Sequence, residues 1–138
     1  MMATLLRVTS PALRHHDTSL SCANAPLRRP PDFDKDSLLN LMEWACGLNP
    51  TTASVLSAPM APNGGNLEFT YTRSVAAVNA GAVFIVEWSD ILPAPIWSTS
   101  GVTQQILSDN GTLQQVLGTL PVGSSGRRFV HLKVTGPP

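Results

Sequence analysis

The strongest pattern in this chain is a series of strand-like segments in its second half. Leu67, Phe69 and Tyr71 alternate with polar residues, which predicts a strand with one face buried and the other facing water. Four further segments are β-branched, aromatic or alternating, at 83–88, 104–107, 113–117 and 129–135. Together they predict a mainly β fold, a small antiparallel β-sandwich of jelly-roll type.

Turn residues mark the ends of these segments. Asn110-Gly111, which lies between two of the predicted strands, is the strongest hairpin signal in the chain. Pro93 and Pro95 exclude a continuous central strand at their positions, because proline cannot donate a backbone hydrogen bond. We therefore expect five or six antiparallel strands joined by turns.

One segment before the strands has the periodicity of a helix. Apolar residues recur there at intervals of three and four, at Leu38, Leu41, Met42 and Ala45. This spacing predicts one short N-terminal amphipathic helix from Ser37 to Cys46. Gly47 and Pro50 follow it and are typical of a helix end.

Composition narrows the class of protein. The 138 residues suffice for one domain, and twelve prolines, ten glycines and 6% aromatic residues favour a turn-rich β protein over a helical bundle. Nine basic and nine acidic residues cancel, so the chain does not have the positive charge that nucleic-acid binding requires. No apolar run approaches the ~20 residues of a membrane span, so we expect no span.

The sequence divides into four parts. Residues 1–31, which are rich in arginine and end in prolines, are predicted to be a disordered leader. Residues 32–50 contain an acidic loop and the helix, residues 51–64 a linker, and residues 65–136 the sandwich.

Neither the leader nor the cysteines settle the cellular compartment. Arg7 and Pro11 interrupt the only apolar stretch of the leader, so no signal peptide is predicted and the chain expressed as it stands would be cytoplasmic. Cys22 and Cys46 permit one disulfide, although a loop thiol at Cys22 and a buried thiol at Cys46 are favoured. Their redox state stays open.

Residues 32–43 have the spacing of an EF-hand-type calcium loop. With Asp32 as position 1, carboxylates fall at positions 1, 3, 5 and 12, and an asparagine at position 9. Ca²⁺ binds six to eight oxygen atoms at about 2.3–2.6 Å, and alternating aspartates on a tight loop supply such atoms. The predicted Ca²⁺ ligands are the side chains of Asp32, Asp34, Asp36, Asn40 and Glu43 and the backbone carbonyl of Leu38.

Two residues depart from the calcium-loop pattern. Ser37 occupies position 6, where the pattern has a glycine that permits a positive φ angle. Lys35 adds a positive charge at a position where many such loops also have glycine. We expect both residues to weaken the affinity for the cation without abolishing it.

An alternative explanation of the acidic residues needs no metal. Asp36 is a suitable N-cap, and acidic side chains before a helix complement its dipole. Capping accounts for Asp36 and for Asp34. It does not account for Asp32 together with Asn40 and Glu43.

Several motifs occur in the order found in one group of bacterial proteins. They are DFDKDSLLNLMEWACGLNP at 32–50, GNLEFTYTR at 65–73, VEWS at 86–89, WS at 97–98 and PVGSSGRRFVHLKVT at 121–135. The set resembles the C-terminal modules of large exported, autotransporter-like bacterial proteins, whose first segment is itself similar to thrombospondin type 3 and dockerin calcium repeats. The resemblance spans residues 32–136. It implies a secreted or cell-surface β module that binds Ca²⁺, with a parent polypeptide or a surface glycan as its partner.

Two classes of function follow from these observations. The resemblance implies an accessory module for attachment, sorting or ligand binding, without an established enzymatic activity. The alternative is a small Ca²⁺-dependent hydrolase of a small-molecule ester or lactone, because a bound cation polarises a carbonyl and orients a water molecule. No catalytic residue is assigned for that reaction, so whether the chain is an enzyme stays open.

Three other residues invite a binding or catalytic interpretation. Trp88 and Trp97 are weak candidates for a carbohydrate-stacking surface, although such residues more often fill a core or an edge. His131 alternates with the apolar residues of the last strand, so we expect it on the solvent side.

Overall fold

Two β-sheets account for the fold in the computed structural model, which describes residues 3–4, 7–8, 32–92, 95–123 and 127–137. The strands are β1 (Ala3–Thr4), β2 (Arg7–Val8), β3 (Met60–Asn63), β4 (Asn66–Ser74), β5 (Val83–Ser89), β6 (Thr103–Asp109), β7 (Leu113–Pro121) and β8 (Phe129–Thr135). The helices are α1 (Asn40–Cys46) and α2 (Val75–Asn79). The predicted mainly β, sandwich-like class is confirmed.

The five strands of seven or more residues pair with one another only in the antiparallel direction. One sheet has the order β3-β4-β7-β6. In the other sheet β8 pairs with β5 along one edge and with the two-residue strands β1 and β2, in parallel, along its other edge. All five strand segments predicted from the sequence therefore correspond to strands, β4 to β8.

The core lies between the inner faces of the sheets. Leu67, Phe69 and Tyr71 on β4 are each at most 1% exposed, as their alternation predicts. The neighbouring strand β7 contributes Val116 and Leu120, and strands β5 and β8 of the other sheet contribute Phe84, Val86, Val130, Leu132 and Val134. Burial of these side chains is the main driving force that holds the sheets together.

The predicted hairpin at Asn110-Gly111 is confirmed. Gly111 adopts a φ of 85°, a left-handed conformation that glycine reaches without steric cost. The Asn110 side chain accepts hydrogen bonds from the backbone N–H groups of Thr112 and Leu113 at 2.9 and 2.8 Å. These contacts fix the register of β6 against β7.

The predicted start of the N-terminal helix is wrong by three residues. α1 begins at Asn40, because Ser37 has a φ of 79° and cannot belong to a right-handed helix. Leu39 is the N-cap residue and its side chain makes no capping hydrogen bond, so Asp36 does not cap the helix. The predicted C-terminal end is confirmed, since Gly47 caps α1 in the left-handed conformation.

α1 packs against one end of the sandwich. Its Met42, Ala45 and Cys46 side chains join the core, and Thr72 of β4 donates a 3.4 Å hydrogen bond to the Cys46 carbonyl. Cys46 is a buried free thiol, and its burial raises its pKa to about 12. Cys22 lies outside the described residues.

Three features were not anticipated from the sequence. α2 follows β4 and is capped by Ser74, whose hydroxyl accepts a hydrogen bond from Ala77. β3 lies within the predicted linker, residues 51–64. Of the predicted leader, residues 1–31, only β1 and β2 are described, and the rest lies outside the described residues.

Neither described helix is long and apolar enough to cross a bilayer.

Candidate metal centre

The three aspartates of the predicted calcium loop come together in space. One carboxylate oxygen from each of Asp32, Asp34 and Asp36 lies within 4.8 Å of the other two. All three side chains are half-buried. Such close carboxylates repel one another unless a cation or hydrogen bonds neutralise them.

The backbone of the loop has the shape that the glycine pattern demands. Lys35 and Ser37, at positions 4 and 6, have φ angles of 62° and 79°. They are the two non-glycine residues with positive φ in the described chain. The positions where related loops have glycine are therefore the positions where this backbone turns to the left-handed region.

The loop carboxylates also organise the loop backbone. Asp32 accepts hydrogen bonds from the N–H groups of Lys35 and Ser37 at 2.8 and 3.2 Å. Asp34 Oδ1 accepts from Asp36 N at 3.2 Å. The chain is thereby wrapped around its own acidic side chains.

Glu43, at position 12, is the most informative residue of the site. It projects from α1, is 0% exposed, and neither of its carboxylate oxygens accepts a hydrogen bond from the described residues. Asp34 Oδ2 is likewise buried without a partner. A buried carboxylate without a counter-charge or hydrogen bonds costs several kcal/mol, so these three oxygen atoms are suited to a bound cation or, failing that, a proton.

Burial and neighbouring negative charges both disfavour the ionised form of Glu43. Burial raises the pKa of Glu43, and the negative charges of Asp34, Asp36 and Asp32 raise it further. Glu43 is not one of the three side chains whose oxygen atoms lie within 4.8 Å of one another, but the charges of those three side chains act on it. A divalent cation held by the aspartates would reduce this repulsion.

Asp36 connects the loop to the segment that follows α1. Its Oδ2 accepts a hydrogen bond from Ser54 N at 2.6 Å, and its Oδ1 accepts one from Leu38 N at 2.7 Å. These two hydrogen bonds lower the pKa of Asp36, the Ser54 bond most strongly. Asp36 is thus held in its ionised form, as a metal ligand must be.

The two remaining predicted ligands lie on either side of the start of α1. Asn40 Oδ1 accepts a hydrogen bond from Phe33 N at 2.9 Å, which closes the loop onto the first residue of the helix. The first helical hydrogen bond is accepted by the Leu39 carbonyl, from Glu43 N at 3.0 Å. The carbonyl of Leu38 therefore precedes the helical ladder.

The two tryptophans proposed as a stacking surface have different neighbours. The Arg128 guanidinium lies 3.6 Å from the centroid of the Trp88 ring, and Trp88 Nε1 donates to the Ser100 carbonyl at 2.9 Å. Trp97 meets His131 edge-on, with ring centroids 4.0 Å apart. A carbohydrate site at these tryptophans stays a prediction.

The prediction that His131 faces solvent is wrong. His131 is 2% exposed, lies opposite Glu87 in the β5–β8 pairing, and has its Nε2 atom 3.4 Å from Glu87 Oε2. Lys133 Nζ lies 3.6 Å from the other Glu87 oxygen. Trp97 covers this outer face of the sheet, which strand alternation alone does not reveal.

The sequence patterns do not reveal one ion pair, between the buried Arg128 and the half-buried Asp90. Arg128 is 6% exposed and forms two 2.8 Å hydrogen bonds to the carboxylate of Asp90, while its Nη1 donates to the Pro121 carbonyl. The pair joins the loop after β5 to the residue before β8. Asp90 and Arg128 are 38 positions apart in the sequence, and no local pattern connects them.

Comparisons with protein-family models, curated proteins and solved structures find no match to this chain. The interpretation of the site therefore depends on its own geometry and on the motifs at 32–50.

Proposed function

We propose that the chain is a calcium-stabilised β-sandwich module in which the loop at 32–43 and helix α1 hold one Ca²⁺ ion. The observation that carries this proposal is the Glu43 carboxylate, which is fully buried beside three aspartates and has both oxygens without a hydrogen-bond partner among the described residues. Capping does not explain it, since the N-cap of α1 is Leu39.

The donor set favours calcium over other metals. The clustered side chains offer only carboxylate oxygens, which suit hard cations, and the cluster contains neither histidine nor cysteine. A glutamate at position 12 with two free oxygens matches the bidentate ligand of such loops, which Ca²⁺ accommodates and the smaller octahedral Mg²⁺ disfavours.

The role of the ion in this proposal is structural. Calcium would join the loop to α1 through Glu43, and α1 is packed on the end of the sandwich through Met42 and Cys46. An ion that binds only the folded state stabilises it by about 2.7 kcal/mol at a hundredfold excess over its Kd. The resemblance of residues 32–136 supports the setting of an exported or cell-surface bacterial protein, in which the module serves attachment, sorting or ligand binding.

The test is calcium titration with two matched variants. Calorimetry and melting curves are recorded for the wild-type protein with Ca²⁺, with Mg²⁺ and with chelator. Glu43→Gln removes the buried charge, whereas Glu68→Gln makes the same change on β4, where Glu68 accepts a hydrogen bond from Asn63. We expect Glu43→Gln to weaken calcium binding at least tenfold while raising the melting temperature in chelator, and Glu68→Gln to leave the calcium affinity unchanged.

Two outcomes would count against the proposal. If the wild-type protein gives no heat and no melting shift at millimolar calcium, the acidic residues have another role. If calcium-dependent hydrolysis of an ester or lactone is detected and is lost in Asp34→Ala, the alternative function as a hydrolase is supported instead.

A further inference from the structure

β6 is an open edge of its sheet. It pairs with β7 on one side, and no described strand pairs with its other side. All seven of its residues are exposed. An edge strand of this kind presents unpaired backbone donors and acceptors to any extended chain that approaches it.

The other described sheet edges are protected. β3 has only four residues and contains Pro62, which has no N–H group to donate. The outer edge of β5 is covered by a two-hydrogen-bond bridge between Trp88 and Ser98. Gln104 Nε2 also donates to the Phe84 carbonyl at that edge. Along β8, the edge opposite β5 is occupied by β1 and β2.

β6 has few of the features that normally prevent edge-to-edge pairing. It contains neither lysine nor proline, and its one irregularity is a bulge between Ile106 and Ser108. The residues before the bulge, 103–106, are in regular register with β7. Ile106 and Leu107 are 46% and 50% exposed in the middle of the strand, so covering them would remove apolar surface from water.

The charge distribution favours a second copy of this chain as the partner. Residues 103–108 contain no charged side chain, so an antiparallel pairing of β6 with itself places no like charges opposite each other. The only acid, Asp109, lies at the end of the strand, with its oxygens bonded to Gly111 N and Gln114 Nε2. The whole chain has a formal net charge of +0, so two copies do not repel each other at long range.

We propose that β6 pairs antiparallel with β6 of a second copy, around a two-fold axis close to Gln105. The four strands of each copy would then form one continuous eight-stranded sheet. Gln104 is held on the inner side by the hydroxyl of Tyr71, at 2.6 Å. By strand alternation Gln105 then lies on the outer side, where it meets its own copy across the axis. This association does not involve the acidic loop.

The test is the oligomeric state of the wild-type protein and of lysine variants, measured by sedimentation equilibrium from about 1 to 200 µM, in calcium and in chelator. Gln105→Lys places two ammonium groups across the axis of the dimer, and Thr103→Lys places a charge about 7 Å from the axis in each copy, within the paired strands. Ala61→Lys adds the same charge to the exposed edge strand β3. Melting curves at the lowest concentration confirm that each variant is folded.

We expect a wild-type dimer, a dimer constant at least tenfold weaker in Gln105→Lys and Thr103→Lys, and no change in Ala61→Lys. The proposal is overturned if the wild-type protein is a monomer throughout this range. It is also overturned if Ala61→Lys dissociates the dimer as much as Gln105→Lys does, since the interface would then involve another edge. A dimer that persists in chelator separates this result from the calcium proposal.

Discussion

Ser37 has a backbone conformation that its side chain disfavours. Its φ of 79° is in the left-handed region, where residues other than glycine are strained by about 1–3 kcal/mol. Lys35 is strained in the same way, with a φ of 62°. The loop keeps these conformations because the Asp32 carboxylate holds the N–H groups of both residues.

Replacement of Ser37 by glycine should therefore relieve strain. We expect Ser37→Gly to raise the free energy of unfolding by about 1 kcal/mol in chelator and to lower the calcium Kd. The control is Ser57→Gly, because Ser57 is exposed and is not among the positive-φ residues. Chemical denaturation and calorimetry measure the two effects. Equal losses of stability in both variants would contradict a strained Ser37.

The raised pKa of Glu43 is caused by its burial and by neighbouring negative charges, and its position in the sequence does not reveal the burial. The spacing predicts a glutamate at position 12, but only the packing of α1 removes its carboxylate from water. The same residue on an exposed helix face would be an ordinary solvated acid.

Among the elements, the end of β5 and the start of β8 are joined by one ion pair, between the half-buried Asp90 and the buried Arg128. The Asp90 carboxylate forms two 2.8 Å hydrogen bonds with the Arg128 guanidinium, which also covers Trp88. The hydrogen bonds from Arg128 hold the pKa of Asp90 below its usual value. Asp90 therefore stays ionised until the solution is more acidic than an ordinary aspartate requires.

We expect Asp90→Asn to destabilise the protein by about 3 kcal/mol at pH 7, because it leaves the buried Arg128 charge without its partner. Since the folded-state pKa of Asp90 is lowered, its contribution is present above the unfolded value, near 3.8, and is lost as the pH falls through the folded value. The difference from wild type should therefore shrink in acid. Urea denaturation across pH measures it.

Asp109→Asn is the matched control for this prediction. The pKa of Asp109 is also lowered, by hydrogen bonds from Gln114 and Gly111, but Asp109 is exposed at a hairpin and neutralises no buried cation. We expect a clearly smaller loss of stability than in Asp90→Asn, because water solvates the Asp109 side chain in either form. If the two variants lose equal stability, the ion pair has no special role.

At the scale of the whole molecule, the acidic loop connects three parts of the chain. Asp36 binds Ser54 N at 2.6 Å, Glu43 belongs to α1, and α1 packs on the end of the sandwich. A cation in the loop would therefore also order the segment that runs from α1 to β3.

We expect calcium to protect residues 51–58 from proteolysis. Val55 is 90% exposed and next to Ser54, so elastase should cut there in chelator and at least tenfold more slowly in calcium. Asp36→Ala removes the acceptor of the Ser54 N–H and should abolish this protection. The digest is followed by mass spectrometry, with cleavage in the 109–113 hairpin as the internal control. Equal rates of cleavage near Val55 in both conditions would show that the loop and this segment are not coupled.

The strand pattern and the loop spacing were predictable because they depend on neighbours in sequence. Alternation placed Leu67, Phe69 and Tyr71 on the core face, and the Asp spacing brought three carboxylates together. Both predictions depend only on the spacing of residues within one short segment, whether that segment is a strand or a tight loop. At Ser37 two sequence patterns disagreed: the calcium-loop spacing implies a positive φ and the apolar periodicity implies a helix, and the structure has the positive φ.

Tertiary packing alone decided the remaining features. The burial of Glu43 and His131, the pairing of Asp90 with Arg128, and the open edge at β6 depend on which distant segments cover a given face. The sequence contains no local signal for such coverage, because strand alternation distinguishes two faces of a sheet without saying what packs on either one. The amino-acid order thus determined which oxygens converge on the loop, and the fold determined that Glu43 is withdrawn from water beside them.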